Sequence, residues 1–86
     1  MKLLRYNARL STGKENFENW TKVNSVIQKN MTPEIRERWM KDGYEGLADE
    51  WILEYYGINR IYRDENQSMT FEFTEQQWTW FLLRWL

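Results

Sequence analysis

The chain has no cysteine and no histidine among its 86 residues. Without cysteine there is no disulfide, no thiolate nucleophile and no thiolate-bound metal. Without histidine, the commonest general base and the commonest metal ligand near neutral pH are both missing. Carboxylates are then the only strong metal ligands left. The adjacent pairs Asp49-Glu50 and Asp64-Glu65 lack the spacing and the glycine of a calcium loop. Ser11, Ser25 and Ser68 stand in no nucleophile-elbow context, and there is no phosphate-cradling glycine loop. Two carboxylates facing each other across a sugar cleft would need room that so short a chain must give to its core. Long apolar runs are absent too: none approaches the roughly 18 residues of a membrane span. The charged start Met1-Lys2-Leu3-Leu4-Arg5 does not read as a secretory signal. The expectation is a cytoplasmic, non-catalytic protein with no cofactor, no metal and no membrane partner.

What the chain does have is aromatic residues: six Trp, five Tyr and four Phe. Each ring can bury about 150–250 Å², so a few of them can hold one small domain together. Net charge is −1, but it is unevenly spread. Residues 1–43 carry nine Lys/Arg against five Asp/Glu, and residues 44–86 carry three against eight. A basic side and an acidic side, or two halves that neutralise each other, would both fit this pattern.

Residues 3–10 alternate, with Leu4, Tyr6, Ala8 and Leu10 on one side and Arg5, Asn7 and Arg9 on the other, which predicts a half-buried strand. Thr12 and Glu15 fit a capping box, and Phe17, Trp20, Val23, Asn24 and Ile27 recur near helical spacing over 14–29. Thr32-Pro33-Glu34 is a stronger start signal, because threonine caps, proline suits the first helical position and glutamate suits the dipole. It predicts a short helix over 33–41 with Ile35 and Trp39 on one face. A helix over about 44–56 follows, with Asp42 and Glu45 as its capping box. Tyr44, Leu47, Ala48, Trp51, Ile52 and Tyr55 form its apolar stripe and Gly57 its stop. Residues 58–63 and 69–74 read as strands joined by the polar connector 64–68. Thr74 with Gln77 forms a capping box for a final helix over 75–86. The predicted fold is therefore a single α+β domain over 1–86. It has a three-stranded antiparallel sheet packed against about four helices, in the order β-α-α-α-β-β-α, with strand order left open.

The last helix carries the functional expectation. Trp78, Phe81, Leu82 and Trp85 share one stripe and should face the core, while Trp80 and Leu83 fall on the opposite arc beside Arg84. Leu53 similarly sits opposite the stripe of the preceding helix, whose Asp49 and Glu50 offer an electrostatic second surface. An exposed Trp beside Arg has the residue chemistry of an interaction hot spot. The expected function is a protein-binding module, an inhibitor or regulator of a larger protein or nucleic-acid-handling complex, with a phage-type inhibitor as one version. Its docking residues would be Trp80, Leu83, Arg84, Leu53, Asp49 and Glu50, and its partner another protein or a second copy forming a dimer. The alternative is single-stranded nucleic-acid binding, with Arg5, Arg9, Arg60 and Arg63 on one sheet face and Tyr62 available for stacking.

Overall fold

A computed structural model of the chain describes residues 2–9, 11, 13–41 and 50–85. Its elements are β1 (Leu3–Asn7), α1 (Lys14–Asn30), α2 (Pro33–Lys41), α3 (Glu50–Tyr56), β2 (Arg60–Arg63), β3 (Met69–Thr74) and α4 (Glu75–Trp85). This is the expected α+β order. The sheet is three-stranded and antiparallel, with strand order β1-β3-β2. β3 therefore lies in the middle, and Phe71 and Phe73 are fully enclosed.

Local chemistry accounts for most boundaries. Thr32 starts α2 as predicted: its hydroxyl accepts the Ile35 N–H at 3.3 Å and its carbonyl accepts the Arg36 N–H at 2.9 Å. The Thr74–Gln77 capping box is formed in both directions. The Gln77 N–H donates to Thr74 Oγ1 at 3.1 Å, and the Thr74 N–H donates to Gln77 Oε1 at 2.9 Å. At α1 the cap position is Gly13, with no side-chain cap bond; Thr12, named in the predicted box, lies outside the described residues. Leu10 and residues 42–49, with Tyr44, Leu47, Ala48 and Asp49, also lie outside them.

α3 ends in a Schellman motif. The Ile58 N–H donates to the Leu53 carbonyl at 2.8 Å and the Gly57 N–H to the Glu54 carbonyl at 3.3 Å, with Gly57 at φ 67°. The β2–β3 connection closes on Asp64, whose N–H donates to the Ser68 carbonyl at 3.0 Å, while Gln67 takes the left-handed conformation at φ 64°. The open edge of β1 is partly blunted. Asn16 accepts the Asn7 N–H and donates to the Asn7 carbonyl, both at 3.1 Å, so its side-chain amide imitates a neighbouring strand.

The core lies between one sheet face and the helices. Leu4, Tyr6, Phe71, Phe73 and Ile61 project from the sheet. Val23 and Ile27 of α1, Trp39 of α2, Ile52 and Tyr56 of α3, and Phe81 of α4 close over them. Phe73 meets Phe81 edge-on at 5.5 Å between ring centroids, and Trp78 stacks on Phe81 at 5.6 Å. Full burial of each phenyl ring is worth about 1.5–3 kcal/mol. No helix among the described residues is long and apolar enough to cross a membrane.

Candidate protein-interaction surface

α4 leaves β3 directly, so the Thr74–Gln77 box sets its rotation as well as its start. Phe81 is buried, and Trp78 and Trp85 pack against the core. The residues on the other arc face out: Trp80 is 41% exposed and Leu83 is 83% exposed. Leu82, predicted to face the core, is exposed instead.

Trp80 is not a loose side chain. One side of its indole rests on Gly57, so closely that a Cβ added there would lie 2.6 Å from Trp80 Cε3. The Arg84 guanidinium lies 5.2 Å from the centre of the Trp80 ring and 5.3 Å from that of Trp85, both cation–π distances. Trp85 meets Tyr55 of α3 at 5.6 Å, and Tyr55 stacks on Trp51 at 5.2 Å with the rings 14° from parallel. Trp51 is 49% exposed and Tyr55 41%. Trp80, Arg84, Trp85, Tyr55 and Trp51 thus form one continuous strip across α4 and α3, bordered by Leu83.

Two members of the strip, Trp51 and Tyr55, were expected on the buried stripe of their helix, and Leu53 on its outer side. This assignment is corrected. Ile52 and Tyr56 are buried, and Leu53 packs against the core. The Schellman motif accompanies this rotation: the residue after its glycine, Ile58, is buried and donates its N–H back to the carbonyl of Leu53, three back from the cap. With Ile52, Leu53 and Tyr56 turned to the core, Trp51 and Tyr55 face outward. The signal was present in the sequence as Leu53-Glu54-Tyr55-Tyr56-Gly57-Ile58. Glu50 is exposed at the start of α3, and Asp49 lies outside the described residues.

The residues of the nucleic-acid alternative are only partly gathered. Arg5 and Arg60 both pair in register with Glu72, so the three form one row across the outer sheet face, with Tyr62 opposite Thr70 in the next row. Arg63 stands three residues from Arg60, so strand alternation puts it on the other face, opposite Met69; the expectation of a single face is corrected here. Arg9 lies beyond the end of β1. Glu72 is only 4% exposed and fully engaged: Arg5 Nε donates to Oε1 at 3.0 Å and Asn59 Nδ2 to Oε2 at 2.7 Å. The hydrogen bond to Glu72, helped by the nearby Tyr62, holds the Arg5 guanidinium above its ordinary value. The Arg60 guanidinium lies 4.3 Å over the Tyr62 ring, on a face a base would need for stacking. Among the charges of this row, then, a carboxylate stands between the two arginines.

Elsewhere on the sheet, Asp64 Oδ1 accepts the Ser68 and Asn66 N–H groups at 2.9 Å each, and Oδ2 accepts Asn7 Nδ2 at 2.8 Å. The Ser68 bond first, then those of Asn66 and Asn7 and the charge of Arg9, hold its carboxyl below the ordinary value. This is hairpin architecture, with every carboxylate oxygen occupied. Among the described residues no three potential metal-ligating side chains come together. Comparison with protein-family models, with curated proteins and with solved structures finds no match to this chain.

Proposed function

We propose that this domain is a non-catalytic protein-binding module, acting as an inhibitor or regulator of a larger protein, and that it docks through the outer face of α4 and the exposed aromatic residues of α3. The observation that carries the reading is the continuity of the strip. Trp80, Arg84, Trp85, Tyr55 and Trp51 touch in sequence, and Leu83 beside them is almost wholly uncovered. Scattered exposed apolar residues are normal on any surface, but a contiguous Trp/Tyr/Arg band has the composition of an interaction hot spot. Trp80 is also pre-positioned by Gly57, so little side-chain entropy remains to be lost on binding. The lack of cysteine and histidine supports the non-catalytic part of the reading. The outer sheet face supports nucleic-acid binding less well, because Glu72 offsets its arginines and Arg60 covers Tyr62.

The test uses Leu83→Asp, which alters the most exposed large apolar residue among the described residues at little cost to the fold. The immobilised chain and the variant are compared for proteins retained from a source-cell lysate, and the affinity for each retained protein is then measured by calorimetry. The expected result is an unchanged circular dichroism spectrum and a loss of about 2 kcal/mol or more in affinity. Equal retention by both chains would end this reading.

A further inference from the structure

Between α1 and the end of α4 lies a groove of about 460 Å³, lined by Lys22, Ser25, Val26 and Lys29 together with Trp85. Lys22, Ser25 and Lys29 follow one another at spacings of three and four, which sets them in one row along an exposed face of α1. The helix rises about 10.5 Å between the two lysines. Buried Val26 and half-buried Trp85 give this row of donors an apolar base. The other polar groups of the lining are engaged locally: the Thr21 hydroxyl donates to the Phe17 carbonyl at 2.9 Å, and Asn30 Nδ2 to the Val26 carbonyl at 2.8 Å. Lys22, Ser25 and Lys29 have no hydrogen-bond or ion-pair partner among the described residues. No carboxylate lines the groove, and the nearest one along α1, Glu18, pairs with Lys14 at 4.0 Å. Arg84 adds a third cation, 5.3 Å from the centre of the Trp85 ring.

We propose that this groove receives an extended acidic segment of the partner protein, with a carboxylate on either side of an apolar side chain. The inference rests on the protein-binding reading and names the chemistry of the partner. Trp85 belongs both to the groove and to the aromatic strip, so the two form one surface. Carboxylates four positions apart on an extended chain share a face and stand about 13 Å from each other, within reach of two flexible lysines about 10.5 Å apart. The residue midway between them points the same way and rests on Val26 and Trp85. The pattern recognised is therefore acidic-x-apolar-x-acidic. Three cations with no facing carboxylate also draw such a segment to the groove before contact. A nucleic-acid strand fits less well. Tyr55, Tyr56 and Arg84 already lie against the Trp85 ring, at 5.6, 5.3 and 5.3 Å, and leave it poorly placed to stack on a base.

The probe is the peptide acetyl-Glu-Ser-Leu-Ser-Glu-amide, added to millimolar concentration while the amide and indole resonances of the isotopically labelled 86-residue chain are followed by nuclear magnetic resonance. The expected result is a saturable shift at Lys22, Ser25, Lys29 and the Trp85 indole, weakened by salt. Lys22→Gln/Lys29→Gln should weaken binding about tenfold or more. The uncharged peptide acetyl-Gln-Ser-Leu-Ser-Gln-amide should bind the wild-type chain as poorly. The same spectra show that the variant is folded; if it is not, the two single substitutions replace it. No shift at these residues overturns the inference, as does binding that survives the loss of both lysines, or equal binding of the uncharged peptide. A short oligothymidylate that shifts them where the acidic peptide does not overturns it in favour of a nucleic acid. The broader reading is judged separately: if the peptide fails to bind while capture of a protein still depends on Leu83, only the acidic segment is refuted.

Discussion

Replacing Gly57 by alanine should damage the fold and the proposed docking surface together, and the two effects can be separated. Gly57 has φ 67°, a conformation that costs an L-residue roughly 1–2 kcal/mol. The new Cβ would also lie 2.6 Å from Trp80 Cε3 and 2.7 Å from Cζ3, so the indole must move aside. Trp80 is 41% exposed, so a little over half of its surface is covered, worth about 2–4 kcal/mol in all for a ring burying about 150–250 Å². A sideways shift forfeits only part of that, about 1 kcal/mol, at the low end of overpacking penalties because the far side of the ring is free. Gly57→Ala should therefore cost about 2–3 kcal/mol in a urea titration followed by circular dichroism. In a Trp80→Ala background the steric part vanishes, and the same substitution should cost only about 1–2 kcal/mol. The coupling in this double-mutant cycle is then about 1 kcal/mol. An equal penalty in both backgrounds would show that the indole does not rest on Gly57, and the argument for a pre-positioned Trp80 would fall with it.

Gln67 is the one non-glycine residue with positive φ among the described residues, so Gln67→Gly should raise stability by about 0.5–1 kcal/mol, read as an increase in melting temperature of several degrees. Asp64 supplies a pH dependence of known sign. Its folded carboxyl is held below the ordinary value, so its contribution is present at neutral pH and fades as acid protonates it, below about pH 4. Stability measured against pH should accordingly fall less steeply on acidification for Asp64→Ala than for the wild-type chain; parallel curves would mean that the carboxylate does not hold the hairpin.

The elements that were legible in the sequence are those whose signals are local. Alternation in Met69-Thr70-Phe71-Glu72-Phe73-Thr74 identifies a strand, and Thr32-Pro33 and Thr74/Gln77 are start signals whose hydrogen bonds are present. Alternation tells which face a side chain takes but not which strand lies next to it, so the central place of β3 was not legible. The partners of Glu72 are Arg5, 67 positions away, and Asn59, 13 away, and no pattern within its own strand points to either. The face of Arg63 is legible from spacing alone: three residues from Arg60 along a strand is an odd number, and an odd number changes face.

The rotation of α3 connects the fold to the surface. Trp51, Ile52, Leu53, Tyr55 and Tyr56 are apolar almost all round the helix, so helical periodicity alone selects no buried side. The choice is made at the helix end. Gly57 permits the left-handed turn, the turn brings the Ile58 N–H back to the Leu53 carbonyl and buries Ile58, and Trp51 and Tyr55 are left facing outward beside Trp85. The same glycine, lacking a side chain, forms the floor on which Trp80 lies. A single residue thus ends α3, selects the aromatic rings that α3 presents, and positions the indole of α4 alongside them. The strip is in this sense a consequence of how the helix is stopped, and a substitution that leaves every ring in place but changes residue 57 should still disturb the surface they make.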